Sequence, residues 1–316
     1  MNKLIVVLPC YNEEEVLPTS IKMLSTLMKN LVDESKIAED SFLCFVDDGS
    51  KDKTWDIIES YSKENTLVKG LKLAKNAGHQ NALLAGLLYH KNQSDMYISI
   101  DCDLQDDINA IPKMIEAYNA GSQVVYGVRS SREVDTIFKR KSAEMFYDVQ
   151  GVIGVDIVKN HADYRLISNK VLNCLEEFKE RNLYLRAMFP LIGFDSSIVY
   201  YERKERFAGE SKYPLKKMLS FAWDGITSFS TVPLKLITIL GALIFIFSMC
   251  MSLWILIIKL FTTQAIPGWA SITLPIYFIG GIQLLSIGIL GEYIGKIYKE
   301  TKQRPRYIIE KSSEDE

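Results

Sequence analysis

Two short acidic runs carry the residue types that could do chemistry: "DCDLQDD" at 101–107 and "DDGS" at 47–50. Carboxylates set this close repel one another and hinder each other's ionisation unless a cation or open solvent lies among them. Asp101 and Asp103, with Gln105 two residues on, offer the oxygen ligands that a hard divalent ion accepts. Mg2+ is commonly held by one or two carboxylates and completed by substrate phosphates. The 47–50 run is also compatible with a plain turn followed by a helix cap, since Asp and Ser favour both. A lone Asp-x-Asp is most often solvated surface, so the positions of these runs along the chain matter more than either run alone.

Each run follows an apolar segment. "KLIVVLP" reads as a strand stopping at Pro9, "FLCFVDD" as a second, "VKGLKLA" as a third, "DMYISID" as a fourth and "QVVYGVR" as a fifth. Between them "EEEVLPTSIKMLSTLMKNLV", "KDKTWDIIESYSKE", "HQNALLAGLLYHK" and "INAIPKMIEAYNAG" have helical spacing. Alternation of this kind predicts an α/β fold, a mainly parallel sheet with helices on both faces. Such sheets bind ligands at the carboxyl ends of their strands. Those ends carry Pro9, Tyr11, Asn12 and Glu13; Asp47 and Asp48; Asn76, Gly78, His79 and Gln80; Asp101, Asp103 and Gln105; Arg129 and Arg132. Five neighbouring strand ends would deliver one acidic, polar crevice with arginines on its rim.

The 316-residue chain has a formal net charge of −2, which gives no electrostatic case for a nucleic-acid partner. Cysteines at 10, 44, 102, 174 and 250 show no paired spacing and read as reduced thiols. The N-terminal apolar run is short and runs at once into acids, unlike a signal peptide. Hydrophobic residues make up 48% of the chain and gather near its end. Residues 236–258 and 270–291 hold no charged side chain. Each approaches the roughly 20 residues that cross a bilayer as a helix; the plainer alternative is two buried core helices. Lysines before the first run and Lys296, Lys299, Lys302, Arg304 and Arg306 after the second predict cytoplasmic termini by the positive-inside rule. Residues 214–232 read as an amphipathic segment at the membrane surface, or else as an ordinary helix packed on the domain. The expected division is 1–213 for the sheet domain, 214–232 for the interface and 233–298 for two spans, about 234–259 and 270–295. A cytoplasmic tail over 299–316 would complete it, ending in the charged, disordered "EKSSEDE".

The motifs "PCYNEE", "VDDGSKDKT", "NAGHQNALLAGL", "DCDLQD", "GVRSSR", "DYRLIS" and "RFAGESKYP" stand in the order seen in family 2 glycosyltransferases of GT-A fold. More narrowly, the chain resembles polyprenyl-phosphate glycosyltransferases related to dolichyl-phosphate mannose synthase, especially the two-span bacterial bactoprenol glucosyltransferases. The resemblance covers about the first 300 residues; the QxxRW motif of processive relatives is missing. It implies inverting transfer of a sugar, glucose first and N-acetylglucosamine second, from a UDP-sugar to polyprenyl phosphate at a bacterial plasma membrane, by an enzyme that assembles as a homotetramer. Asp101, Asp103 and Gln105 would hold Mg2+ or Mn2+ against the donor diphosphate. Pro9, Tyr11, Asn12 and Glu13 would shape the nucleoside pocket, with Asp48 accepting the uracil N–H and Asp47 beside it. Gly78 and Gln80 complete the donor side. Asp163 and Arg165 belong to an acceptor-side motif, Asp163 as base or orienting group. Arg129, Arg132, Arg140, Arg206, Ser211 and Lys212 are the candidates for holding phosphates, with Arg129 and Asp103 in catalytic roles. A polyprenyl phosphate is largely a dianion at neutral pH, its second pKa being about 6, so it needs little help from a base.

Two readings of other classes compete. A haloacid-dehalogenase-like phosphatase also places Asp-x-Asp after a strand, but on its first strand and with Thr or Val where Gln105 stands. A non-catalytic membrane-anchored binding protein would not need the full set of acidic and basic motifs.

Overall fold

The computed structural model describes residues 1–130, 161–181, 184–202 and 269–315, with scattered positions between 234 and 250. Two compact units are present: Met1–Val152, Asp156–Tyr213 and Arg304–Glu316 form the first, and Ile153–Val155 with Pro214–Gln303 the second.

The first unit is built on one eight-stranded sheet. Its strands are β1 (Leu4–Cys10), β2 (Phe42–Asp47), β3 (Val68–Leu73), β4 (Met96–Ser99), β5 (Val124–Arg129), β6 (His161–Ser168), β7 (Ser196–Tyr201) and β8 (Ile309–Ser312). Their spatial order is β7-β5-β6-β4-β1-β2-β3-β8. The pairs β4–β1, β1–β2, β2–β3 and β5–β7 are parallel, while β6 runs antiparallel between β4 and β5 and β8 antiparallel to β3. This is the GT-A-like mixed α/β sheet that the sequence points to. β1 and β2 are buried along their whole length, which is why they read as unbroken apolar runs rather than alternations. β1 continues past Pro9 to Cys10, opposite Val46 and Asp47 of β2.

Helices α1 (Leu17–Asp33), α2 (Thr54–Glu64), α3 (His79–Tyr89) and α4 (Ala110–Asn119) connect the first five strands. Pro18 sits in the first turn of α1, where a missing N–H costs nothing, and the helix starts there rather than at the preceding glutamates. α5 (Asn169–Glu176) and α6 (Leu185–Ile192) link β6 to β7. The core includes Leu4, Val6, Leu8, Leu24, Phe45, Ile98, Ile111 and Tyr164, packed between the sheet and its helices. Cys10, Cys44 and Cys102 are buried free thiols.

Two features depart from expectation. β5 is not beside β4: β6 lies between them, and its antiparallel course brings its first residues to the carboxyl ends of both. The tail is not disordered. Lys69 and Lys72 of β3 meet Glu314 and Glu310, and the free edge of β3 recruits the tail as β8, a partner that composition alone does not reveal.

In the second unit, α7 (Trp269–Thr301) is 33 residues long, about 50 Å at 1.5 Å per residue. The second expected span falls within it; the first, 236–258, lies mostly outside the described residues, and 214–232 lies wholly outside them. Among the described residues no helix is long and apolar enough to cross a membrane.

Candidate active site

The carboxyl end of β1 and that of β2 are laced together. Asn12 takes a left-handed conformation (φ 55°), which Asn tolerates better than most residues. Its amide donates to Ser50 Oγ (2.9 Å) and its Oδ1 accepts from Lys51 N (2.9 Å). The Glu13 amide donates to Thr54 Oγ1 (2.9 Å). Pro9 is buried beneath this lacing, and Tyr11 stands exposed at its rim.

Asp47 and Asp48 are both buried. Asp47 Oδ1 closes the turn by accepting from Ser50 N (3.1 Å), while its Oδ2 is buried without a partner. Asp48 accepts from the amides of Ala77 (2.6 Å) and Gly78 (2.9 Å), one on each oxygen. Burial pushes both carboxyls up, against these hydrogen bonds. Gly49 makes the crossing possible. It has φ +65°, and a Cβ there would lie 2.6 Å from Asn76 N and from Lys75 C. Asp48, expected at a nucleobase, thus spends both oxygens on the β3–α3 connection. Gln80 is likewise engaged: its Oε1 accepts from Leu185 N (3.0 Å) and ties α3 to α6.

The acidic run after β4 is arranged differently. Leu104 has a positive φ of 46° and packs against the core, turning the chain so that Asp101 and Asp103 flank a tight loop. Gln105 N donates to Asp103 Oδ1 (3.3 Å). Asp101 is half-exposed, yet its Oδ1 is buried with no hydrogen-bond partner; His79 Nε2 lies 3.5 Å away. Burial pushes the Asp101 carboxyl up; His79 opposes this, and Asp106, Asp163 and Asp103 add to it. An orphaned buried oxygen among mutually repelling acids fits a cation. Among the described residues no group of three or more His, Cys, Asp or Glu could hold a metal ion. A cation here would therefore lean on Asp101, Asp103, Gln105 and the oxygens of a substrate.

Asp106, in the same run, has another fate. It is buried, and its Oδ1 accepts from Tyr201 OH (2.6 Å), Arg129 Nη2 (3.1 Å) and Arg129 Nε (3.3 Å). The expected catalytic Arg129 is thus held from β5 in an ion pair, with a quarter of its side chain exposed.

β6 delivers Asp163 and Arg165. Asp163 Oδ1 accepts from Arg165 Nη2 (2.6 Å) and Arg186 Nε (3.3 Å), and its Oδ2 accepts from Arg186 Nη2 (3.1 Å). Burial alone would raise its pKa; Arg186, then Arg165, outweigh burial and hold it well below the carboxylate range. A carboxylate so held is a poor proton acceptor, which favours the orienting role over the base. Arg165 is fully buried over the Phe189 ring at 4.6 Å. His79 Nε2 lies 3.9 Å from Asp163 Oδ2 as well as near Asp101, so one ring stands between the two acidic centres.

The structure therefore brings together Asp101, Asp103, Gln105, Asp163 and Arg165, with Asp48 and Gly78 on one side and Arg129 on the other. Arg132, Arg140, Arg206, Ser211 and Lys212 lie outside the described residues. Sequence reasoning missed Arg186 and Tyr201 and left His79 without a role. Arg186 had a signal, being the lone cation of an otherwise apolar eight-residue helix, "LRAMFPLI".

A family model described as "Glycosyl transferase family 2" matches residues 5–178, more than half of the chain and including the loops after β1, β2, β3 and β4. The chain belongs to glycosyl transferase family 2. A relative from Bacillus subtilis (strain 168), named uncharacterized glycosyltransferase YkoT, is 52% identical over 308 residues, covering 97% of this chain and 91% of that protein. The bactoprenol glucosyl transferase of Shigella phage SfII is 40% identical over 311 residues, covering 98% of each. Among solved structures, glucosyl-3-phosphoglycerate synthase from Mycobacterium tuberculosis, in complex with Mn2+, UDP and phosphoglyceric acid, has a TM-score of 0.47 at 17% identity and covers 72% of this chain and 76% of that one. This family 2 chain is a glycosyltransferase, and neither the phosphatase nor the non-catalytic reading stands. In the phosphatase reading Asp-x-Asp would end the first strand, whereas here it ends β4.

Proposed function

We propose that this chain transfers a sugar, glucose in the first instance, from a UDP-sugar to a polyprenyl phosphate on the cytoplasmic face of a bacterial plasma membrane. The observation that carries the chemistry is Asp101 Oδ1, buried without a hydrogen bond, with His79 3.5 Å away and Asp103, Asp106 and Asp163 around it. The acceptor class is supported by the near full-length likeness to the bactoprenol glucosyl transferase, which runs through both apolar segments. A divalent cation, Mg2+ or Mn2+, held by Asp101, Asp103 and Gln105, would supply positive charge where negative charge gathers on the departing nucleoside diphosphate.

The chain's own residues divide the remaining work. Asp48 and Gly49 fix the loop over the donor side. Asp163, kept anionic by Arg165 and Arg186, orients those guanidiniums and His79 rather than taking a proton. The acceptor phosphate is already nucleophilic near neutral pH, so no strong base is required. In-line attack would invert the anomeric centre and turn an α-linked donor into a β-linked lipid phosphate sugar.

The experiment uses the full chain in detergent with radiolabelled UDP-glucose, undecaprenyl phosphate and Mn2+ or Mg2+. A labelled, organic-extractable product that depends on both lipid and metal is the expected result. UDP-N-acetylglucosamine and other UDP-sugars run in parallel would identify the donor. Absence of lipid-linked product with every donor would end this proposal. The two-span topology has its own check: cysteines placed at 260–269 should be labelled from outside intact cells, and cysteines in the tail should not.

A further inference from the structure

The far end of the sequence closes the edge of the sheet that leads into the donor side. Ser313 N donates to Gly70 O (2.9 Å), Ser313 Oγ accepts from Gly70 N (2.8 Å), and Ala74 N donates to Ile308 O (2.9 Å). Leu71, Lys72 and Leu73 pair with Ser312, Lys311 and Ile309 across a register shift. Outside the ladder, Lys72 Nζ meets Glu310 (3.3 Å), Lys311 Nζ meets Glu59 of α2 (2.5 Å) and Lys69 meets Glu314. Ion pairs this exposed hold weakly one by one and respond to salt.

The loop that leaves β3 gives this edge its importance. Ala74, Lys75 and Asn76 are exposed, and two neighbouring segments fix their position. On one side the Lys75–Asn76 backbone lies on Gly49 with no room for a Cβ, and the Ala77 and Gly78 amides grip Asp48. On the other side β8 holds β3 up to Ala74. The next residue after the loop is His79, beside Asp101. Asp101 and Asp103 follow directly on β4, which pairs with β6, and Asp163 is held through Ser99 Oγ, which donates to Asp163 O (2.7 Å).

We propose that the C-terminal strand is a positioning element of the donor pocket, which fixes the 74–78 loop so that it can receive the nucleoside diphosphate. The inference rests on the reading of this end of the sheet as a UDP-sugar site. A strand that acts only through the loop should change how well donor binds and leave the chemistry of bound donor unaltered. An unpaired strand edge also loosens from its end, so release of β8 would be felt first at Ala74.

Three variants test it. Ser313→Pro removes both the amide and the hydroxyl that pair with Gly70. Glu310→Lys, Lys311→Glu and Glu314→Lys combined reverse the tail's charges without touching the core. A chain ended after Gln303 removes the strand altogether. Hydrogen exchange at Gly70 and Ala74 reports release, calorimetry with UDP and Mn2+ reports the dissociation constant, and steady-state rates give donor KM, acceptor KM and kcat. In proportion to exchange, UDP affinity should fall and donor KM rise by roughly five- to twentyfold, less than the hundredfold that 1 Å of misplacement can cost at a reacting centre. The kcat and the acceptor KM should hold within about twofold, below the size of one ordinary hydrogen bond. A synthetic peptide of residues 304–316 should restore donor KM to the shortened chain; should that chain not fold, the two full-length variants decide. Released tails with unchanged UDP affinity, or a loss confined to kcat, would overturn the inference. A wild-type chain that binds no UDP would instead remove the donor-site reading beneath it.

Discussion

Asp47–Asp48 after β2 and Asp101–Asp103 after β4 look alike in the sequence, and the fold treats them in opposite ways. The first pair is buried and largely spent on the chain's own amides, at Ser50, Ala77 and Gly78. The second pair is half-exposed, stands among further acids and leaves Asp101 Oδ1 orphaned. A buried carboxylate that accepts backbone N–H bonds holds loops together. Asp47 Oδ2 also lacks a hydrogen bond, but its side chain is fully buried; a carboxylate oxygen left unsatisfied in a half-exposed cluster of acids is the one that offers a place for a cation. Asp163 is a third solution, in which two arginines neutralise the charge. The contrast predicts that loss of the acceptor oxygens of the first pair harms the fold, whereas loss of charge at the second harms the reaction.

The largest effect should come from Asp103→Asn. Transfer should fall by about a thousandfold or more, on the order of 4 kcal/mol of transition-state stabilisation, with the melting temperature unchanged. Near-normal turnover at saturating Mn2+ would erase the distinction between the pairs. Next is Asp163→Asn, which leaves buried Arg165 without its counter-charge. Removing one partner of a buried pair costs about 3–5 kcal/mol, and a value near the lower end is expected because Arg186 can reach solvent. Denaturant unfolding measures it. Asp48→Ala should cost about 2 kcal/mol by stranding the Ala77 and Gly78 amides, and should loosen the 74–78 loop in hydrogen exchange.

The smallest effect is on pH dependence, and its sign differs between centres. The folded-state pKa of Asp163 is depressed, so its stabilisation is fully present above the ordinary carboxylate pKa of about 3.9 and lost as pH falls through its own lower value. Asp47, Asp48 and Asp101 are raised, so the folded chain binds their protons more readily and the metal-free protein gains stability as pH falls toward those values. Metal-free stability should therefore hold or rise slightly from about pH 7 to about pH 5 and drop below about pH 4. Cation affinity should instead weaken from the same mildly acidic range downward, as Asp101 takes up its proton. Unfolding curves and Mn2+ titrations across this range separate the two trends.

Much of this arrangement was legible in the sequence, for a physical reason. β1, β2, β4 and β5 are buried on both faces, so they appear as apolar runs, and the polar residues next to them in the chain fall at one end of a parallel sheet. β6 was hidden because "HADYRLIS" carries charges inside, and only the Asp163–Arg165–Arg186 pairing makes them tolerable there. β8 was hidden because its sequence is polar and charged; its partner is the lysine-bearing edge of β3, more than 200 residues earlier in the chain. Arg129 was placed correctly at a strand end, but its pairing with Asp106 and Tyr201 depends on β7, which no local pattern announced.

The most direct test of the central claim is a Mn2+ titration in the presence of saturating UDP, on wild type, Asp48→Ala, Asp101→Asn and Asp103→Asn. Asp101→Asn and Asp103→Asn should each lose more than about a hundredfold in Mn2+ affinity, beyond what a supporting residue contributes, while Asp48→Ala stays within about tenfold of wild type. Wild-type Mn2+ affinity in both asparagine variants, or a loss confined to Asp48→Ala, would contradict the account.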